Sequence, residues 1–306
     1  MSTPFRFGVL GAVAPTMAQW RAQAREAEAL GYSALYIHDH LDPQYGPLVA
    51  ATVAAEATTT LHVGTLVLNN DLRNIVVLAR EVATLGLAAE GRIEIGFGAG
   101  YAQSDYAAAG IALASPRTRV DRLEESLSVM SALWREGAVT FEGSHVKVRD
   151  AVCEPRPTLA PRVIVGGASK RILTVAARHA DTVGVNRLGS SKSGGELGPM
   201  YAADHYDRCL NIIRQAAGDR FDSLELQISA ASVLLLRNGR PAGRAAAMLG
   251  FTSEEALDSP AVLIGTADDL CERLLQGRQR WGFSNVVVPT EAMVDFAPVV
   301  AQMAGK

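Results

Sequence analysis

The sequence predicts an α/β fold, a (β/α)8 TIM barrel. Short β-branched or apolar runs alternate with longer helical patterns almost throughout, and eight such runs are present. Strict alternation favours parallel strands joined by right-handed crossovers, and eight units suffice to close a sheet on itself. Several of these runs also end in glycine-rich or amide-rich clusters, as expected where the C-terminal ends of barrel strands build a site. The competing arrangement is an open doubly wound sheet. No linker separates two sets of strands, so residues 1–306 are expected to form one domain.

The elements follow in order. Phe5–Leu10 reads as the first strand, and Met17–Leu30 as an alanine-rich helix stopped by Gly31. Ala34–Ile37 is the second strand, Pro47–Ala57 a helix opened by proline, His62–Leu68 the third strand and Ile75–Leu87 the next helix. Arg92–Phe97 is the fourth strand. Arg117–Trp134 is an amphipathic helix with arginine and glutamate outward. Alternation around Glu142-Gly143, between Val139 and Cys153, predicts a β-hairpin inserted into the barrel rhythm. Arg162–Val165, Thr182–Val185, Leu224–Leu236 and Asn285–Val288 complete the eight strands, with helices at Arg171–His179, Met200–Ala217 and Ala267–Trp281. Gly189–Gly198 reads as a loop over the strand ends, and Asn238–Pro260 as a helical insertion.

Composition narrows the class. Of 306 residues, 48% are hydrophobic and 20% charged, enough apolar side chain for a large core, and barrels of ~250 residues fold around a single one. A net charge of −3 gives no reason to expect nucleic acid or a membrane surface as partner. Cys153, Cys209 and Cys271 are odd in number, far apart and without a CxxC pair. They argue for a reducing compartment and against a disulfide or zinc framework. The N-terminus lacks the pattern of a signal peptide and no apolar run approaches ~18 residues. A cytoplasmic protein is expected.

Five strand ends carry chemistry. GRIEIGFGAGY runs from a buried strand into Gly96, Gly98 and Gly100, which would let a large flat group lie against the backbone. No helix follows at once, so a dinucleotide-binding turn is excluded, and a plain strand-to-loop turn is the alternative. The second strand ends in His38-Asp39-His40. A His-x-His pair suits a metal, but His62, His145, His179 and His205 fall where they cannot add ligands, and none is expected. His40 then has either a substrate-contacting or a structural role. Asn69-Asn70-Asp71 offers donors and acceptors to the edge of a heterocycle, or simply a turn and helix cap. In VGGASKR, two glycines bare the backbone, Ser169 is placed to cap a helix, and Lys170 or Arg171 adds positive charge, a combination suited to phosphate. Asn186 and Arg187 add an amide and a cation to the same rim.

These motifs resemble the bacterial luciferase-like superfamily of flavin- and deazaflavin-dependent oxidoreductases. The resemblance rests on GTLVLNND, NIVVLAREVATL, GRIEIGFGAGY, VGGASKR and the closing GTADDLCERLLQGRQRWGFSNVVV, and covers essentially the whole chain. In detail it is most similar to the branch that uses coenzyme F420, through Asp39 and His40. The resemblance implies a ring in the barrel mouth over a bulge with a non-proline cis peptide at Leu66–Val67. It implies Asn69 and Asn70 at the ring's pyrimidine edge, Gly98, Ala99 and Gly100 along its flank, and Gly166, Gly167, Ala168 and Ser169 at the phosphate, with Asn186 beside them. Lys170, Arg171, Arg187 and Lys192 are candidates for an anionic tail. Hydride would pass between the ring and a small organic substrate, with Asp39, His40 and Tyr101 as acid–base candidates. Sugar-phosphate dehydrogenases of this superfamily carry a carboxylate where this chain has Tyr101, and a tryptophan where it has Asp42-Pro43-Gln44-Tyr45. That sets an acid catalyst and a sugar-phosphate substrate in question. The alternatives are a monooxygenase using reduced flavin mononucleotide (FMN) and, in another class, a non-catalytic barrel. A homodimer is expected, paired through the helices Pro47–Ala57 and Ile75–Leu87.

Overall fold

Twelve strands and nine helices are defined among the described residues, 3–11, 14–185, 202–236 and 258–306, of the computed structural model. The strands are β1 (Arg6–Leu10), β2 (Ala34–Ile37), β3 (His62–Asn69), β4 (Ile93–Gly98), β5 (Val139–Glu142), β6 (Lys147–Ala151), β7 (Arg162–Gly167), β8 (Thr182–Val185), β9 (Glu225–Ser229), β10 (Ser232–Leu235), β11 (Val262–Gly265) and β12 (Phe283–Pro289). The helices are α1 (Met17–Ala29), α2 (Pro47–Ala57), α3 (Ile75–Ala88), α4 (Gln103–Ala109), α5 (Pro116–Arg135), α6 (Lys170–His179), α7 (Ala203–Ala217), α8 (Ala267–Trp281) and α9 (Met293–Met303).

Eight strands close a parallel barrel in the order β1-β12-β9-β8-β7-β4-β3-β2, the (β/α)8 fold the alternation predicts. Helix ends follow their local chemistry. Thr16 accepts the Gln19 N–H to cap α1, which stops ahead of Gly31 at φ 85°. Thr266 and Asp269 form a capping box on α8. Side chains of one strand alternate between two cores. Leu35 and Ile37 pack outward against the helices, while Ala34 and Tyr36 join Leu66, Ile164 and Val287 inside the barrel. The hairpin β5–β6 is antiparallel, and the Glu125 carboxylate on α5 accepts the N–H groups of Ser144, His145 and Val146.

The structure differs from expectation in three places. Leu224–Leu236 is two strands: β9 stays in the barrel, whereas β10 leaves it to pair with β11. The break falls at Ala230 and Ala231, whose N–H groups turn from Val287 O to Ala261 O. α4 lies in a stretch to which the sequence assigns no element, because QSDYAAA has no apolar stripe; α9 follows the last predicted element. The insertion placed at Asn238–Pro260 and the loop at Gly189–Gly198 lie largely or wholly outside the described residues. No described helix is long and apolar enough to cross a membrane.

A buried ionic cluster occupies the N-terminal end of the barrel. Arg6 bonds both Glu94 and Glu225, Tyr36 donates to Glu94 at 2.6 Å, and His62 Nδ1 lies 3.1 Å from it. Burial raises the Glu94 pKa, but His62, Arg6 and Tyr36 outweigh burial and hold it down at about 2. Glu94→Gln leaves Arg6 and His62 facing an amide and is expected to cost roughly 3 kcal/mol in urea unfolding at pH 7. The folded value lies below the ordinary 4.5, so this stabilisation is full above about pH 4.5 and lost as pH falls toward 2. The stability gap between wild type and variant should close over that window.

Candidate functional site

A cavity of about 590 Å³ opens at the C-terminal end of the barrel, lined by residues from the ends of seven strands and the starts of α5, α6 and α7. The tip of β3 forms one wall. The register of β3 against β4 shifts between Thr65 and Leu68, and the Leu66–Val67 peptide is cis, at the position the resemblance implies. The room for Val67 comes from β4. A Cβ on Gly96 would stand 2.8 Å from Val67 Cγ1, and one on Gly98 2.7 Å from Val67 Cγ2. These glycines are therefore packing positions first, although Gly98, Ala99 and Gly100 also line the cavity.

Asp39 has both oxygens committed. They take two bonds from Arg73, at 2.5 and 2.9 Å, and one from the Asn69 N–H at 2.9 Å. Asp39 is 5% exposed and braces β2 to β3. Both oxygens are thus engaged in holding Arg73 and the β3 backbone, a structural task beside the acid–base role that the resemblance implies for Asp39. Asn69 lines the cavity, and its Oδ1 accepts the Asp71 N–H at 3.1 Å and the Tyr106 hydroxyl at 3.4 Å. Asn70 starts a 3-10 turn and is buried outside the cavity lining, so only one of the two amides reaches the cavity.

His40 is gathered into a group of three. Its Nδ1 lies 2.7 Å from Asp105 Oδ2, and its Nε2 lies 3.5 Å from the Tyr101 hydroxyl. Burial, and then the Asp105 and Asp42 charges, raise the Tyr101 pKa, so the phenol keeps its proton through neutral pH. His38 also lines the cavity, its ring centroid 5.8 Å from that of His40. Burial, and then the His40 charge, lower its pKa. No cluster of three potential metal ligands occurs among the described residues.

Asp105 was missed, yet it is the only charged residue in the stretch from Tyr101 to Ala114, which is the signal that would have found it. Arg73, Arg119 and Tyr206 were missed as well. Arg73 holds Asp39 rather than lining the cavity, and Arg119 and Tyr206 line it from helices that sequence reading treats as shell.

The β7 end supplies the remaining wall. Gly166, Gly167 and Ser169 line the cavity where α6 begins, whereas Ala168 does not. Its carbonyl instead meets the Cys209 thiol at 3.9 Å. Ser169 makes no capping bond, contrary to expectation, and the first turn of α6 carries no acid, so its N–H groups suit an anion. A Cβ on Gly167 would stand 2.4 Å from Ile172 Cγ2, so its lack of a side chain serves strand–helix packing. Arg171 turns outward to pair with Asp121. Asn186, Arg187 and Lys192 lie outside the described residues.

A phosphate-bearing planar cofactor fits these residues: an uncapped helix end beside a glycine pair, and a mostly apolar wall tipped by one fixed amide. Residues 1–217 match the luciferase-like monooxygenase family, and the chain belongs to that family. A curated relative, the F420-dependent glucose-6-phosphate dehydrogenase of Intrasporangium calvum, is 31% identical over 213 residues, 66% of this chain. The match spans 63% of that relative's own length, and about half of several others. Among solved structures, the coenzyme F420-dependent tetrahydromethanopterin reductase of Methanopyrus kandleri superposes with a TM-score of 0.78 at 17% identity, covering 99% of both chains. A riboflavin lyase holding a modified FMN gives the same TM-score at 14% identity, covering 98% of this chain and 91% of its own. At such identities both establish the fold.

Gly100 has φ 73°, and a Cβ there would lie 2.3 Å from the Tyr106 hydroxyl and 2.4 Å from Asn69 Oδ1. Gly100→Ala is expected to destabilise by roughly 3 kcal/mol, combining backbone strain with a displaced hydrogen-bond network. Gly110→Ala, at φ 69° with nothing within 4 Å, should cost only about 1 kcal/mol. Melting temperatures of the pair check the difference.

Proposed function

We propose that residues 1–306 act as one luciferase-like barrel, an oxidoreductase that binds coenzyme F420 and transfers hydride between it and a small organic substrate. The observation that carries this reading is the union, in one cavity, of the uncapped α6 N-terminus and the His40–Tyr101 pair, in a chain whose curated relatives are named for F420-dependent dehydrogenation. When bound, the deazaflavin supplies hydride chemistry.

The chain's own residues do the rest. Gly166, Gly167, Ser169 and the first N–H groups of α6 hold a phosphate. Asn69 has its oxygen occupied, so its NH₂ is the group left to donate to a ring carbonyl. Leu66 and Val67 support a planar ring from below while Gly98, Ala99 and Gly100 flank it. Asp39 holds the β3 tip that carries Asn69. His40 and Tyr101 exchange a proton with the substrate. Outside the barrel, Val49 on α2 and Val77 and Leu87 on α3 are 64%, 44% and 48% exposed, and this face pairs two copies into a homodimer. A dimer mass by light scattering at micromolar concentration is expected; a monomer would remove this part of the reading.

Fluorescence titration with F420 and with FMN tests the cofactor, with micromolar F420 binding expected. Micromolar FMN binding without F420 binding would replace the reading with the flavin monooxygenase. Ser169→Asp gives a sharper check. Aspartate at an N-cap strengthens the helix yet sets a negative charge where the phosphate belongs. The melting temperature should hold or rise while F420 affinity falls at least ~10-fold, about 1.4 kcal/mol.

A further inference from the structure

The segment after β4 folds into the short helix α4, closed by Gly110 in the left-handed region, and this brings Asp105 against His40. Asp105 is 5% exposed, and neither oxygen is idle. Oδ2 faces His40 Nδ1 at 2.7 Å, and Oδ1 accepts the Leu41 N–H at 3.1 Å. The second contact ties the carboxylate to the backbone one residue beyond the histidine, so it cannot swing away without breaking the Leu41 N–H bond.

An ionised carboxylate only accepts hydrogen bonds, so the ring nitrogen facing it must carry a proton. Nδ1 then stays protonated whether the imidazole is neutral or charged, and Nε2 is the atom that gains and loses a proton. Nε2 points toward the Tyr101 hydroxyl, at the long end of hydrogen-bond reach, and the two rings meet edge to face with centroids 5.7 Å apart at 84°. Tyr101 is 52% exposed and lines the cavity beside His40. The other titratable groups nearby are His38, whose ring centroid lies 5.8 Å from that of His40, and Asp42, whose charge acts on His38 and Tyr101. Asp39 is locked to Arg73, which leaves Asp105 as the carboxylate that bonds the imidazole.

We propose that Asp105 is a positioning residue that fixes His40 as the Nδ1–H tautomer, so that Nε2 and the Tyr101 hydroxyl form a two-group proton path into the cavity. The proposal rests on the oxidoreductase reading for its use, although not for its geometry. The proton balance closes within the chain. When Tyr101 gives its proton to the substrate, the proton on Nε2 of His40 replaces it, and His40 is left neutral with Nδ1–H still bonded to Asp105. In the opposite direction Nε2 takes the proton that the substrate delivers to Tyr101.

Two measurements test it. Long-range ¹H–¹⁵N NMR of histidine-labelled protein reads the tautomer of neutral His40 directly, with no ligand present. The Nδ1–H form is expected in wild type. In Asp105→Asn, whose amide oxygen keeps the Leu41 bond while its NH₂ faces the ring, the Nε2–H form should replace it. An Nε2–H tautomer in wild type, or no change in the variant, overturns the proposal. The wild-type spectrum decides this even if the variant fails to fold. With F420 and a substrate that turns over, Asp105→Asn should lower kcat at least ~10-fold with KM within about twofold, because binding contacts are untouched. A fall in KM-linked binding with unchanged kcat would overturn the proton path. Absence of F420 binding would instead overturn the proposed function and leave the tautomer result standing.

Discussion

The seating of Val67 against Gly96 and Gly98 is the constraint on which the upper half of the barrel depends. A parallel sheet sets neighbouring strands about 5 Å apart, and a β-branched side chain cannot lie across that gap unless the facing strand gives up its Cβ atoms. β4 gives them up at two alternate positions, on one face of the strand. β3 therefore shifts register against β4, and its last residues arrive where Asn69 meets Tyr106 and Asp39. The wall of the cavity, its one oriented amide and the brace to β2 all follow from this accommodation.

The two ends of the barrel use polar groups for different ends. At the N-terminal end, Arg6, Glu94, Glu225 and Tyr36 satisfy one another inside a closed cluster, which fixes how the strands meet and leaves little to react with anything else. At the C-terminal end Asp39 and Asp105 are also satisfied, but each in order to hold something else in place. Asp39 holds a backbone, and Asp105 holds a ring whose second nitrogen is left facing the cavity. His40 and Tyr101 are left in contact with each other at the cavity wall.

How far the sequence told this story depends on the range of the interactions involved. The eight strands were legible because alternation of apolar runs is local, and α2, β2, β8 and α8 fall at the expected bounds. The break between β9 and β10 was invisible, since two alanines look like any strand residue until their N–H groups are seen changing partners. At the site, His40, Tyr101, Asn69 and the β7 glycines were placed on the cavity by their strand ends. The β4 glycines have a packing task that was not legible, because a glycine needed for a neighbour's methyl groups looks the same in sequence as one needed for a ligand. The structural task of Asp39 was not legible either, because its clamp, Arg73, lies 34 residues away and nothing in the spacing joins them. Asp105 was passed over because a short alanine-rich helix without an amphipathic stripe reads as loop.

α5 ties distant parts of this molecule together. Its first turn supplies Pro116, Arg119 and Val120 to the cavity, Arg122 bonds Asp71 at 2.8 Å beside the β3 tip, and one residue past Glu124 its Glu125 grips three consecutive N–H groups of the β5–β6 hairpin. Those amides exchange more slowly with solvent deuterium while the carboxylate holds them. The hairpin, remote from the cavity, thereby becomes a gauge of how firmly the helix sits: any loosening at the cavity rim that shifts α5 is readable as faster isotope exchange at Ser144, His145 and Val146.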